Sequence, residues 1–432
     1  MMIDPSRRTG AMLFAPSRRP YQICVRCIMD TSDPEIEIDP GGVCSHCHAF
    51  DRAVQMGVVS GEQGRNRLAA VVAQIKAEGI GKRYDCVIGL SGGVDSSYVG
   101  FLAKRLGLRP LAVHLDNGWN SEVAVRNIER LVKVLGLDLY TVVLDWEQFR
   151  RLQIAFLRAS TPDSEIPTDH AIVATMYRVA MRYGVRWLVE GSNVVTESMV
   201  PATWSHGHSD WGYIQYLNNA FGGVRLAAYP HYTFFEKLFL FPSMLKLRRL
   251  PILNYVEYSK REVEAVLSKE VGWVPYGSKH YESIYTRFYQ GYILPVKFGF
   301  DKRRPHLSCL INNGEMTRDQ ALVEITKPAI PPDQLAEDRA FVLKKLGLSE
   351  QEFEAIMALP RKTFWDYPSS ERHLPKWWVW RLYCFFTRLV ALGKSVIRVA
   401  RYLWRGEGRQ ALDTVTRGWR RRQDASGRAG TS

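Results

Sequence analysis

Three groups of residues in this chain have types and spacing that could do chemistry. The first is the run Ser91-Gly92-Gly93-Val94-Asp95-Ser96-Ser97. Its two glycines let backbone N–H groups approach an anion, and its three serines add hydroxyl donors. Asp95 supplies a carboxylate of the kind that holds Mg2+ beside phosphate oxygens. A Walker loop would end in Gly-Lys-Ser/Thr, and this one does not. The second group is Cys24-Val25-Arg26-Cys27 and, 16 residues on, Cys44-Ser45-His46-Cys47. Two C-x2-C knuckles at this distance read as a four-thiolate zinc ribbon, and Gly41-Gly42 supplies the tight turn before the second knuckle. Four thiolates leave no open position, so the expected metal is structural; His46 and His48 are alternative ligands. The third group is Lys297, Lys302, Arg303 and Arg304, in a segment bounded by Gly and Pro. It reads as a clamp for phosphate or an acidic substrate, or as a solvated basic loop.

These residues need elements to hold them. Cys86 to Leu90 is a short apolar run that reads as a buried strand and empties into the glycine loop. A helix follows, with apolar Val99, Leu102, Ala103 and Leu106 closed by Gly107. Strand, glycine loop and helix N-terminus together make a phosphate-binding geometry. Further strands are expected at Arg109–Asp116, Leu139–Leu144 and Val185–Val189, and helices at Gly64–Ala77, Ser121–Leu135, Trp146–Ala159 and Thr168–Tyr183. Alternation of this kind predicts a doubly wound parallel α/β sheet. Its ligand belongs beyond the carboxyl ends of the strands, at Ser91, His114 to Asn117, Asp145 and Glu190 to Asn193. Asp169 and His170 open a helix capped by Thr168, which makes them substrate-side candidates or simple capping residues. Residues 204–250 are aromatic and irregular, without an assignable pattern. Tyr258–Lys269, Thr317–Ile325 and Glu337–Leu359 read as helices, with a helix start at Leu348-Ser349-Glu350.

The chain has 432 residues and a formal charge of +14. From Arg372 to Ser432 there are 14 Lys/Arg against 3 Asp/Glu, so the other 371 residues carry only +3. The basic character belongs to a tail, and the nearly neutral body argues against a general nucleic-acid binder. No apolar stretch is long and uncharged enough to span a membrane, and the first residues lack an apolar signal region, so a cytoplasmic location is expected. Cys86, Cys309 and Cys384 read as buried thiols. The expected divisions are a disordered N-terminus (1–20), the ribbon (21–50), the nucleotide-binding domain with its helical linker (51–310), a helical cap (311–370) and the basic tail (371–432).

The loop resembles the pyrophosphate loop, S-G-G-x-D-S, of ATP pyrophosphatases. With C-V-R-C-I-M-D-T-S-D-P, A-V-H-L-D-N-G-W-N-S, E-I-P-T-D-H-A-I and V-K-F-G-F-D-K-R-R, in that order, residues Tyr21 to Tyr367 resemble the N-acetyl sugar amidotransferase family. Members of that family turn an acetamido group of a bacterial surface-glycan sugar into an acetamidino group. The resemblance implies ATP cleaved to AMP and pyrophosphate, with Ser91, Gly92, Gly93, Ser96 and Ser97 on the pyrophosphate. Mg2+ would lie on Asp95 and on Glu197, a looser match to a second acidic position. His114, Asp116, Asn117 and Gly191 would border the nucleotide. Asp95, Lys297, Arg303 and Arg304 would serve the reaction, and Asp169 and His170 the nucleotide-sugar substrate.

No glutaminase elbow or processed N-terminal cysteine is present, so a separate class I glutamine amidotransferase subunit is implied as the ammonia source. The rival expectation is a tRNA-thiolating pyrophosphate-loop ATPase, with Cys309 as its persulfide carrier. The tail, outside the resemblance, separates its groups at 100° per residue. Trp378, Leu382, Phe385, Phe386, Leu389, Leu392, Val396, Ile397, Ala400 and Leu403 lie on one side, and Lys394, Arg398, Arg401 and Arg405 on the other. This predicts a basic amphipathic helix at an anionic membrane surface; docking on the body or a partner, and RNA binding by Arg417 to Arg428, are its alternatives.

Overall fold

The computed structural model describes residues 20–205, 208–276 and 281–370. Cys384, the helix expected at Trp378–Trp404 and residues 1–19 lie outside the described residues. Five strands, β1 (Cys86–Gly89), β2 (Pro110–Asp116), β3 (Asp138–Val143), β4 (Trp187–Glu190) and β5 (Arg248–Pro251), form one parallel sheet in the order β3-β2-β1-β4-β5. Chain order reverses between β1 and β4. At such a switch point the crossovers diverge to opposite faces and leave a crevice at the strand ends.

The N-terminal helices α1 (Ser45–Gly57) and α2 (Gly61–Glu78) precede the sheet. Then α3 (Val94–Arg105), α4 (Glu122–Leu135), α5 (Trp146–Ala159) and α6 (Ile166–Arg182) follow β1, β2 and β3. Strand β1 shows why the sheet is covered twice. Cys86 and Ile88 point into a cluster with Val72, Val99 and Ile128, and Val87 points the other way, to Met176 and Val179 of α6. Helix boundaries follow local chemistry. Ser121 accepts the N–H of Ala124 at 3.2 Å to start α4, and Gly136, at φ +56°, ends it. Asp145 accepts the N–H of Gln148 at 2.9 Å to start α5.

After β4 come α7 (Val194–Glu197) and α8 (Trp211–Leu217), then two π-helical segments, Asn218–Gly222 and Glu236–Met244, before β5. Pro242 and the wide π turns erase the 3.6-residue period, which is why this stretch carries no helical sequence pattern. Helices α9 (Lys260–Val271) and α10 (Ile284–Phe288) lead to a third π-helical segment, Tyr289–Phe298. The basic segment expected to be a loop is therefore largely helical. The C-terminal region is α11 (Arg303–Asn312), α12 (Arg318–Thr326), α13 (Pro332–Leu346) and α14 (Glu350–Ala358). The helical stretch expected over Glu337–Leu359 divides at Gly347 (φ +69°), and its second helix starts from the N-cap Ser349, within the helix start expected at Leu348-Ser349-Glu350. No described helix is long and apolar enough to cross a membrane.

The N-terminal knuckles are bound to this C-terminal region. Arg318 donates to the carbonyls of Cys24 (3.0 Å) and Cys27 (3.0 Å), and Ile28 N–H donates to Ser308 Oγ at 3.3 Å. Arg304 reaches the carbonyl of Ile28 at 2.8 Å and Asp30 at 3.0 Å.

Candidate active site

A cavity of about 590 Å3 opens at the carboxyl ends of β1 and β2. Gly89, Leu90, Ser91 and Ser96 form one wall with Val113, His114, Leu115 and Asn117. The glycine loop is pre-formed. Ser96 Oγ accepts from the N–H of Ser91 (3.2 Å) and donates to the carbonyl of Gly93 (3.1 Å), while Ser91 Oγ accepts from Gly93 N–H at 3.3 Å. Gly92 sits at φ +83°, and a Cβ there would lie 2.5 Å from the carbonyl oxygen of Ala124 in α4. Gly93 caps α3 without a side-chain hydrogen bond of its own, and the Tyr276 hydroxyl accepts from the N–H of Val94 at the start of the helix. Gly191, at the end of β4, gives α3 room: a Cβ there would be 3.2 Å from the backbone carbon of Asp95. Ser97 is fully buried beneath the loop, and its hydroxyl does not reach the cavity.

Asp95 accepts a hydrogen bond from the Tyr258 hydroxyl. Burial first, then Asp95, Glu315 and Glu197, push that hydroxyl far above its usual pKa, so it remains a donor. Asp95 and Glu197 thus share one neighbourhood, and Glu197 lines the cavity. Two carboxylates beside a phosphate-type loop suit Mg2+, which would neutralise phosphate charge there. His114 lines the wall with both ring nitrogens engaged: Nδ1 donates to the Leu90 carbonyl at 2.8 Å, and Nε2 accepts from Asn120 at 3.2 Å. Asp116 accepts from Gly118 N–H at 2.8 Å and shapes the turn after β2 rather than facing the cavity.

The opposite wall is ionised. His208 Nε2 lies 3.0 Å from Asp163 Oδ2, 3.5 Å from Asp169 Oδ2 and 3.1 Å from Ser205 Oγ. Burial acts to lower the pKa of His208, but Asp169 and the hydrogen-bonded Asp163 outweigh it and hold the imidazole at about 9. Burial works against ionised Asp163 as well, and His208 and Ser205 keep it below the ordinary carboxylate range. Asp169 is displaced upward by burial. Lys302 and His306 complete this side, with Glu165 held by Thr286 (2.6 Å) and Gln290 (2.8 Å).

The structure brings Ser91, Ser96, His114, Asn117, Asp169 and Glu197 to one cavity, and leaves other expected residues elsewhere. Lys297 is buried, donates Nζ to the Ile356 carbonyl and lines a separate, small void with Phe353 and Met357. Arg303 binds Asp301 (2.7 Å) and the Lys327 carbonyl (2.9 Å), and Arg304 is spent on the ribbon. Of the basic group, Lys302 alone reaches the cavity. His170 is corrected too. It is fully buried between Tyr232 and Trp211, with ring centroids at 4.3 and 5.5 Å. Its Nδ1 donates to the His208 carbonyl, its Nε2 accepts from Tyr232 N–H, and burial lowers it to about 4. It is a neutral core residue that positions the His208 backbone. The residues that sequence reasoning missed, Asp163, Ser205 and His208, come from two turns with no periodic signal.

Among the described residues, one group of metal-ligand type stands out: Cys24, Cys27, Cys44 and Cys47, all buried, with sulfurs within 4.8 Å of one another. The sulfurs receive N–H donors, from Cys44 to Cys24 (3.3 Å), from Met29 to Cys27 (3.4 Å) and from Asn312 to Cys47 (3.6 Å). Such donors stabilise thiolates, and the set suits a closed zinc site. His46 and His48 are instead paired to Asp33 (2.7 Å) and Asp39 (2.8 Å). Cys309 packs against this cluster and does not line the cavity.

Two segments of the chain match known families. Residues 66–160 match NAD synthase, and residues 282–383 match the family described as "LPS biosynthesis protein WbpG-like, C-terminal domain". No curated protein matches the chain. Similar solved structures include the NMN synthetase of Francisella tularensis, at 15% identity over 66% of this chain and 96% of that one, with a TM-score of 0.31. The NH3-dependent NAD synthetase of Campylobacter jejuni, in complex with nitrate, is 13% identical over 69% of this chain and 97% of that one, with a TM-score of 0.28. A predicted tRNA methyltransferase subunit from Methanocaldococcus jannaschii is 23% identical over 31% of this chain and 64% of that one, with a TM-score of 0.21. At these scores the likenesses carry no weight for chemistry. The matched segments meet at the cavity: Ser91, Ser96 and His114 come from the first, and Glu282, Thr286, Lys302 and His306 from the second.

Proposed function

We propose that this chain, which joins an NAD synthase-like pyrophosphate-loop domain to a WbpG-like domain of lipopolysaccharide biosynthesis, is an ATP-utilising enzyme of that process, acting as an amidotransferase on an N-acetylated nucleotide sugar. The observation that carries this reading is the shared cavity, with a phosphate-type loop from the first segment on one wall and, on the other, Lys302 and His306 of the second segment beside the ionised patch of Asp163, Asp169 and His208.

An amide carbon is a poor electrophile because its nitrogen donates into the carbonyl. The carbonyl oxygen would attack the α-phosphorus of ATP, forming an O–P bond as the bond to pyrophosphate breaks. Ammonia would then add to the activated carbon and lose a proton, and AMP would leave with the oxygen, giving an amidine. Such chemistry needs no side-chain nucleophile; positioning and charge neutralisation carry the rate. Ser91, Ser96 and the first-turn N–H groups of α3 would receive the pyrophosphate, Asp95 and Glu197 would hold Mg2+, and Asp163, Asp169, His208 and Lys302 would face the sugar and the incoming ammonia. Ammonia would come from a separate class I glutamine amidotransferase subunit. The four-cysteine site would hold structural zinc. A tRNA-thiolating reaction would need a cysteine at the cavity, and none of the described cavity residues is one.

The test is AMP formation by the full chain with ATP, Mg2+, ammonium and a panel of N-acetylated nucleotide sugars, followed by mass spectrometry for replacement of one oxygen by NH. AMP release should depend on one sugar, proceed with ammonium but not glutamine, and vanish in Asp95→Asn, where the amide can still accept from Tyr258. Sugar-independent AMP release, or wild-type turnover by that variant, would refute the proposal.

A further inference from the structure

The two edges of the sheet, β5 and β3, are built differently. In β5 the N–H of Arg248 donates inward to the Arg186 carbonyl at 2.8 Å, so by strand alternation Arg249 and Pro251 turn their backbone groups outward. Arg249 carries a charge, bound to Glu190, and Pro251 has no N–H to offer. Charges and prolines of this kind guard the edges of natural sheets against further pairing. Strand β3 has no such guard. The N–H of Leu144 donates to the Asp116 carbonyl at 2.9 Å, so Leu139, Thr141 and Val143 turn their N–H and C=O groups away from the sheet. No described residue bonds those groups. These three residues stand in register with Ala112, His114 and Asp116 of β2, and Ala112 packs with Ile128 and Leu131 of α4. Their side chains therefore share the α4 face of the sheet. Leu139 is 38% and Val143 69% exposed, with Thr141 exposed between them.

This edge is complementary to itself. When two β3 strands run antiparallel about a two-fold axis through Thr141, Thr141 faces Thr141 and Leu139 faces Val143 of the second copy. Every outward N–H and C=O then finds a partner, and no other antiparallel register engages all three residues. Apolar meets apolar and Thr meets Thr, pairings that stabilise a sheet. No like charges oppose one another: Asp138 falls opposite Leu144 and is itself bound to Arg83 at 2.9 Å. The same axis sets α4 antiparallel to its copy, with Glu122 in the first turn of one directed to the end that carries Lys133 in the other. Asn127 and Arg130, on one flank of α4, bind the Val274 and Gly272 carbonyls at 2.8 and 3.1 Å. At about 100° per residue, Val125 and Val132 lie on the opposite flank, turned toward the β3 edge, and Val125 is 41% exposed. They extend the apolar seam beyond the strand.

We infer that β3 is the seam of a two-fold dimer, in which the sheets of two copies of this chain join edge to edge. The pair is isologous and uses up the unguarded edge of each copy, so assembly stops at two. This inference is independent of the chemistry at the cavity. It is tested by light scattering of the full chain at micromolar concentration, where the wild type should be a dimer. Thr141→Pro removes an outward N–H and no bond to β2, and Val143→Lys places a charge in the seam. Each should raise the dimer dissociation constant about tenfold or more. Both positions are exposed, so circular dichroism spectra should match the wild type. The register has its own test. Paired Cα atoms across the seam lie about 5.5 Å apart, within reach of a disulfide, so Thr141→Cys should cross-link to its copy on mild oxidation. Leu139→Cys should cross-link only when Val143→Cys is present in the same chain, with the wild type as the blank for the native cysteines. A monomeric wild-type chain, a dimer undiminished by both substitutions, or open-ended assembly would overturn the inference. So would cross-linking of Leu139→Cys alone as efficient as that of Thr141→Cys.

Discussion

Replacing Asp163 by Asn keeps the shape and the hydrogen-bond acceptor at the ionised wall and removes one charge. His208 sits at about 9 against an ordinary 6.5. That difference corresponds to roughly 3.4 kcal/mol of preference for the imidazolium. Because 41% of the His208 side chain meets the open interior of the cavity, solvent screens the interaction, and about half of that figure is a fair measure. Asp163, 3.0 Å away, and Asp169, 3.5 Å away, divide it, so the variant should lose about 1 kcal/mol and His208 should titrate about one pH unit lower. A raised histidine pKa stabilises the fold fully below the unfolded value and ceases to do so as pH rises through the folded one. The deficit of the variant should therefore be largest between the carboxylate range and pH 6.5, and should shrink to zero or reverse near 9, where wild-type Asp163 is left buried beside a neutral imidazole. The assay is chemical denaturation across pH together with the NMR titration of His208. A deficit that does not vary with pH, or an unmoved titration, would refute the electrostatic account.

Gly92→Ala should cost about 2–4 kcal/mol, measured by urea denaturation, because a left-handed φ and a contact with the Ala124 carbonyl act together; a wild-type midpoint would mean that the loop moves freely. Metal analysis of the reduced protein should give one zinc per chain, and chelation should speed hydrogen exchange in α11 and α12 as well as in the knuckles, since Arg304, Ser308 and Arg318 bind the ribbon directly. Lys297→Met should lower stability by less than about 1.5 kcal/mol and leave AMP formation intact; a large loss of turnover at unchanged stability would return Lys297 to the reaction.

The sheet and the loop were legible because their signals are local. An apolar run such as Cys86–Leu90 opening into Ser-Gly-Gly reads the same whatever packs on it, and Trp146–Ala159 is bounded by Asp145 and Ser160 as its pattern predicts. Strand β5 was not legible, since Arg248 and Arg249 hide a short edge strand behind charges paired to Glu78 and Glu190. The candidate site divides in the same way. Ser91, Ser96 and Asp95 stand in one contiguous motif, whereas His208 becomes a charged group only when Asp163 is brought to it from 45 residues away. Lys297 and Arg304 misled because charge in a segment bounded by Gly and Pro reads as solvent-facing. Pro295 lies inside a π-helical segment instead, and Arg304 finds Asp30, a partner that local sequence does not disclose.

The clasp between the cysteine knuckles and the α11–α12 region also sets an order of assembly. Ile28 and Ser308 are 280 positions apart, and Arg318 and Cys24 are 294 apart. During synthesis the knuckles emerge first and can close locally around a metal, because their own bridges, Ile23 to Asp30 and Ile38 to Cys44, span few residues. Their docking partners leave the ribosome only after the entire parallel sheet. Until then Ile28, which is buried against Leu307 and Ala321 in the finished protein, has no counterpart surface. Closure of so long a loop is entropically slow, and the waiting interval exposes apolar surface to other chains. Nascent chains stalled before α11 should therefore be the aggregation-prone species, and supplying the C-terminal segment in trans should protect them.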